Sequence, residues 1–510
     1  MKPRNIALLS TLPLSMAAAQ AQDTAAKPNV LFIIVDDYGW SDVSYNGSTF
    51  YETPNIDRLA AEGMVFSSGY AAAPVSSPTR ISIMTGKYPA RTGFTDWIPG
   101  YQFHLSEERL SRYKMISPEP GLNMPLEEVT IGEAFKQAGY HTAFVGKWHC
   151  CEESAYYPQH QGFDLNIGGW LKGSPNGKRR VGDEGGAYYS PYNNPMLPDG
   201  PEGEFLTDRL GTEAVKVMEN SKNDPFFMIL SFYAVHTPIE AKPEKVAYFQ
   251  EKARRMNIDT IEPFTQDVDW YRESDYKLWH WKERTIQNNA EYAALISSMD
   301  ENVGRVLDYL RESGLDRNTV VCLISDNGGL STAETSPTTN APLRGGKGWL
   351  YEGGIRVPFI VKDPRTVKAG SRSDMPVVST DIYPTLLELA GIPALPEQHR
   401  DGVSLVPVLN GKKQHRGPVY FHYPHYGNKG DRPAGAIIDG RYKLIEFFED
   451  GSTELYDLKA DISETKNLTE QRPALHRKLL DKLHDWREEV GAKMPVLNKN
   501  YKSKGKQVRK

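Results

Sequence analysis

Four short apolar runs, each closing on reactive polar side chains, constrain this chain more than anything else in it. Residues 28–35 (PNVLFIIV) stop at Asp36-Asp37, and residues 141–145 (HTAFV) stop at Gly146-Lys147-Trp148-His149. Residues 225–234 (PFFMILSFYA) lead to His236-Thr237-Pro238, and residues 319–324 (TVVCLI) to Ser325-Asp326-Asn327-Gly328-Gly329. A continuous apolar run of this length reads as a strand buried on both faces, as in parallel sheets. Helical patterns separate the runs: 130–138 stopped by Gly139, 205–219, and 292–310 with Leu295, Met299, Val303 and Leu307 at four-residue steps. Alternating strands and helices predict an α/β fold, a doubly wound and mostly parallel sheet. In such sheets ligands sit beyond the carboxyl ends of the strands, which is where the polar sets fall.

The side chains at those ends divide into two kinds. Asp36 and Asp37 repel each other unless a cation lies between them, the alternative being a solvated turn. Carboxylate and amide oxygens suit a hard ion such as calcium, and Asp326 and Asn327 offer more of them. Lys147, His149 and His236 suit an anion or proton transfer. Two residues apart in an extended segment, Lys147 and His149 face the same side. Ile81, Ile83 and Met84 predict a buried helix from about Pro78, which puts position 76 at a helix N-terminus, where backbone N–H groups favour an anion. Arg80 follows one turn on.

The stretch Ser76-Ser77-Pro78-Thr79-Arg80, running on to Thr85-Gly86, resembles the signature of the formylglycine-dependent sulfatases. That signature is a Cys or Ser, any residue, Pro, any residue, Arg, then an apolar run ending in Thr-Gly. Five segments match in family order over nearly the whole chain. The resemblance implies an alkaline-phosphatase-like sheet. It implies that Ser76 is oxidised to formylglycine by a Ser/Cys-type anaerobic sulfatase-maturating enzyme. It assigns Asp36, Asp37, Asp326, Asn327 and residue 76 to one Ca2+. Arg80, Lys147, His236 and Lys347, the last in a Gly-rich segment, would surround the sulfate, and His149 would contact the formylglycine. The implied reaction is hydrolysis of a sulfate monoester on a sugar, such as galactose or an N-acetylhexosamine of a sulfated glycan. Three rivals stand beside it: a phosphomonoesterase or phosphodiesterase of the alkaline phosphatase superfamily, a non-catalytic sulfated-glycan binder with an unmodified Ser76, and an exported structural protein, against which the reactive side chains at strand ends argue.

A chain of 510 residues exceeds what one core supports. Residues 1–21 read as a signal peptide: Lys2 and Arg4, an apolar stretch over 6–14, then Ala19-Gln20-Ala21. Residues 22–410 read as the catalytic domain. Residues 411–510 read as a smaller C-terminal α+β domain, with an antiparallel sheet over 418–423, 435–438, 441–448 and 453–457 and a helix over 473–490. An exported, periplasmic protein without a membrane anchor follows. A net charge of -5 gives no reason to invoke nucleic acid. Three cysteines, two of them adjacent, do not suit a disulfide scaffold. Candidate sugar contacts are Asp96 and Trp97, in a long loop over 93–112, and His425, in the aromatic stretch 421–426. Lys178-Arg179-Arg180 could meet an anionic glycan. Residues 242–289, with Trp270, Trp279 and Trp281, read as a lid or insertion.

Overall fold

Strand β1 (Asn29–Val35) has every residue buried and runs between two parallel neighbours. The computed structural model describes residues 27–177, 187–266, 282–332 and 335–502. The expected signal peptide, the basic triplet at 178–180 and Trp270, Trp279 and Trp281 lie outside them. Around β1 an eight-stranded sheet forms, with β2 (Met64–Phe66), β3 (His141–Gly146), β4 (Leu165–Ile167), β5 (Phe226–Ser231), β6 (Thr319–Ser325), β7 (Phe359–Lys362) and β8 (Ser371–Ser373). The order across it is β8-β2-β7-β6-β1-β5-β3-β4. Strands β6, β1, β5, β3 and β4 are mutually parallel, and β7 alone runs against its neighbours.

Alternate residues of β1 serve different layers, because successive side chains point to opposite faces. Leu31, Ile33 and Val35 pack with helices α1 (Pro54–Glu62), α4 (Leu206–Asn220), α5 (Pro243–Arg255) and α6 (Ala290–Glu312). Val30, Phe32 and Ile34 pack with α2 (Ser76–Thr85), α3 (Ile131–Gln137) and α7 (Ile382–Leu389). The result is the expected helix–sheet–helix sandwich. A third core joins β9 (Val419–Tyr423), β10 (Ala434–Asp439), β11 (Tyr442–Phe447) and β12 (Thr453–Asp457), an antiparallel sheet, to α8 (Pro473–Glu489). Leu479, Leu483 and Trp486 form the buried face of α8, and the Trp486 ring stacks on Tyr420 at 4.7 Å.

Several local expectations change. Helix α2 starts at Ser76, not Pro78, because a proline in the first turn forfeits no intrahelical bond. Helix α5 lies inside the supposed lid; only Phe249 and Ala253 of it are buried, too thin a stripe to stand out. Strands β4, β7 and β8 were not anticipated. Near the C-terminal end of the described residues, Asn498 and Lys502 donate backbone N–H groups to Lys114 and Ser111. All three cysteines are free and buried. No helix among the described residues is long and apolar enough to cross a membrane.

Candidate active site

Because five strands run the same way, their carboxyl ends deliver the expected residues to one place. Asp36 is pinned where β1 ends: its N–H donates to Ala234 O, and Val235 N donates to Asp36 O. Ser76 enters from the first turn of α2. Its Oγ lies 3.3 Å from Asp36 Oδ1, 3.3 Å from Asn327 Oδ1 and 3.3 Å from Lys147 Nζ. Asp36, Asp37 and Asp326 each turn one oxygen into a cluster within 4.8 Å. Asn327 donates its Nδ2 to Asp37 Oδ1 and to Gly328 O, which turns its Oδ1 towards Ser76. Four buried oxygen donors beside residue 76 match the chemistry of a hard cation, and no sulfur or imidazole competes within that set.

Buried cations surround these oxygens. Lys147 Nζ donates to Asp36 Oδ2 at 2.6 Å, and Lys347 Nζ reaches Asp37 at 2.7 and 2.8 Å. Arg80 spends its guanidinium on Asp326, the Lys147 carbonyl and Ser231 Oγ, all at 2.8 Å. It thereby ties β6, β3 and β5 together from α2. Ser231 joins the site although no motif marks it; its one signal in the sequence is a polar residue inside an apolar run. His236 sets its Nδ1 on Thr237 O, so the proton resides there. Its Nε2 accepts, 3.2 Å from Lys347 Nζ and 3.7 Å from Asp37.

Lys147 and His149 do not converge by the pleat of an extended segment. Strand β3 ends at Gly146, with φ +105°, and His149 itself is left-handed, with φ +53°. A Cβ on Gly146 would stand 1.8 Å from Ser231 O, so only glycine allows the strand to turn there. His149 Nε2 lies 3.1 Å from Ile98 O. A carbonyl only accepts, so Nε2 carries the proton and Nδ1 the lone pair. Nδ1 has no hydrogen-bond partner in the protein.

Burial pushes the Asp36 carboxyl up, and Asp326 and Asp37 push it the same way against Lys147 and Arg80. Burial would raise Asp37 too, but Lys347, His236 and Lys147 hold it below the usual carboxylate range. Asp326 sits at about 2, where Arg80 and Lys147 overcome burial. Burial lowers Lys147 and holds His149 neutral. A carboxyl raised by its carboxylate neighbours is one that a bound cation would relieve.

The three expected sugar contacts fare differently. Asp96 and His425 are each 1% exposed, and their polar atoms face the protein. Asp96 accepts from Trp97 N, Tyr101 N and Tyr423 OH, and His425 Nε2 pairs with Thr95 Oγ1. Trp97 is only partly buried.

A family model described as Sulfatase matches residues 28–392, and one described as N-sulphoglucosamine sulphohydrolase, C-terminal, matches residues 346–489. A protein named Sulfatase from Formosa agariphila is 31% identical over 96% of this chain and 94% of its own length. The mouse N-acetylgalactosamine-6-sulfatase is 29% identical over 81% of this chain and 72% of its own. Among solved structures, Ps i-CgsB in complex with k-i-k-neocarrahexaose superposes with a TM-score of 0.71 at 28% identity, covering 90% of this chain and 93% of that one.

Proposed function

The chain belongs to the sulfatase family, and from that premise we propose how its site works and on what. It is a sulfuric ester hydrolase acting on sulfated sugars; the finer reading is a formylglycine at position 76, one calcium ion, and a galactose or N-acetylhexosamine O-sulfate as substrate. The observation that carries it is Ser76 Oγ at 3.3 Å from an acidic oxygen, an amide oxygen and a lysine at once. The sugar assignment draws on a relative named for N-acetylgalactosamine and a neighbour solved with neocarrahexaose.

Asp36, Asp37, Asp326, Asn327 and residue 76 would hold the calcium ion, which supplies a Lewis acid for the sulfate oxygens and for a hydroxyl of residue 76. Serine has one hydroxyl; a hydrated formylglycine has two, one to take the sulfur and one whose proton loss lets sulfate go. Lys147 and Lys347 offset charge on the sulfate oxygens where it grows in the transition state. The Lys347–His236 pair, 3.2 Å apart, would pass a proton to the departing sugar oxygen. His149 Nδ1 takes the proton of the second hydroxyl. A phosphatase with two or more metals has less to work with, since one carboxylate cluster alone occurs among the described residues.

The same proposal covers the surroundings: export through residues 1–21 to the periplasm, a catalytic domain over 22–410, a small domain over 411–510, and oxidation of Ser76 by a maturating enzyme. The test is to express the protein with and without such an enzyme. The mature protein should give a Ser76 peptide lighter by two hydrogens and release sulfate, not phosphate, from a panel of defined sulfated saccharides. Full turnover with an unmodified Ser76 would refute the formylglycine reading.

A further inference from the structure

The peptide unit of Ile98 is held from both sides. Its N–H donates to Ser77 Oγ at 3.1 Å, beside position 76, and its carbonyl takes His149 Nε2 at 3.1 Å. What presents that unit is a turn over residues 96–101, and a single carboxylate closes the turn. Asp96 Oδ1 accepts from Trp97 N at 2.8 Å and Oδ2 from Tyr101 N at 3.0 Å. Tyr423 OH, at the end of β9, adds a third donor to Oδ1 at 3.2 Å. His425 Nδ1 lies 3.8 Å from Oδ2. The small antiparallel sheet thus reaches the imidazole through Asp96 and Ile98.

We propose that Asp96 is a positioning residue for the reaction: by closing this turn it fixes the Ile98 carbonyl, which holds the proton of His149 on Nε2 and leaves the Nδ1 lone pair free to act on residue 76. A partner on one ring nitrogen sets the tautomer and aim of the other. Asparagine cannot replace the carboxylate, since its amide nitrogen donates and would face a backbone N–H that also donates. Gly173 shows how little slack the ring has: a Cβ there would come within 2.3 Å of His149 Cε1. The role of Nδ1 rests on the function proposed above; the ring's tautomer does not.

The test uses the full mature chain, a sulfated galactose or N-acetylhexosamine saccharide from the panel above, and protein labelled with 15N-histidine. In Asp96→Asn, kcat should fall on the order of 10- to 100-fold with KM unchanged. In long-range proton–nitrogen spectra His149, identified by the signals lost in His149→Gln, should be Nε2-protonated in the parent and a mixture of tautomers in Asp96→Asn. Tyr423→Phe removes one donor of three and should move both readouts the same way, by less. A raised KM with kcat intact would make Asp96 a sugar contact and overturn the proposal. Unchanged kcat with unchanged ring signals would overturn it too. If Asp96→Asn does not fold, Tyr423→Phe decides: shifted ring signals support the proposal and unshifted ones overturn it. If the parent cleaves no sulfate ester, the functional reading fails, while the ring signals still judge the positioning.

Discussion

Replacing Lys443 by methionine should loosen the joint between the small sheet and the loop that carries Lys347. Lys443, on β11, is fully buried, with Nζ 3.0 Å from Glu352 Oε1 and 2.8 Å from Glu464 Oε1. Both carboxylates are fully buried as well. Glu352 also accepts from Tyr70 OH at 3.0 Å, and Glu464 accepts from Glu352 N at 2.7 Å. Methionine keeps the volume and removes the charge, so two carboxylates face each other with Arg356 left 3.4 Å from Glu352 Oε2. Two charge-assisted contacts at about 1.5–3 kcal/mol each give a loss of about 3–6 kcal/mol. Breaking a buried ion pair from one side costs about 3–5 kcal/mol, which agrees. The loss should depend on pH. Burial already raises Glu464 to about 7, with Glu352 adding to it and Lys443 opposing it. A carboxyl raised on folding destabilises above its unfolded value, increasingly so as pH rises through the folded one. Removing Lys443 raises it further, so the deficit is smallest in acid and full above neutrality. Guanidinium unfolding followed by tryptophan fluorescence, in weakly acidic and in weakly alkaline buffer, measures this. Adding Glu464→Gln to Lys443→Met should recover much of the loss. A deficit under about 1 kcal/mol in both buffers, the size of an exposed pair, would refute the reasoning.

Two further outcomes bear on the site itself. Gly146→Ala puts a Cβ against Ser231 O and a side chain at φ +105°, and breaks the 2.8 Å bond from Lys147 N to the same oxygen. It should lower stability by about 2–3 kcal/mol in a thermal melt and turnover on the order of 100-fold as Lys147 shifts from Ser76; near-normal turnover would show that Lys147 needs no such placement. Chelation should abolish sulfate release, and calcium should restore it and raise the melting temperature, by about 2.7 kcal/mol of stability at a hundredfold excess over the dissociation constant. Indifference to chelator in both readouts would remove the ion from Asp36, Asp37, Asp326 and Asn327.

What the sequence shows and hides follows from how each element is buried. Strands β1, β3, β5 and β6 are covered on both faces, so their apolar runs are unbroken and their ends plain. Strand β8 (Ser371–Ser373) lies at the sheet's edge and is polar, and β7 is four residues long, so neither carries a pattern to read. The site divides in the same way. Asp36, Lys147, His236 and Asp326 announce themselves, because a charged group just past a buried strand has few other reasons to be there. The aim of Lys147 and His149 is set by the turn at Gly146 and the left-handed backbone of His149, not by the pleat of an extended segment. Ile98 could not have been found, since its contribution is a carbonyl and every residue has one. Asp96, in a polar loop that suits a sugar contact, has its bonds to Trp97, Tyr101 and Tyr423 instead. Side-chain chemistry in a sequence therefore points to what can react, while the groups that aim it are backbone atoms and buried acceptors whose partners only tertiary structure supplies. In this chain one such group is the Ile98 carbonyl, presented by a loop whose Asp96 also accepts from Tyr423 of the small C-terminal sheet.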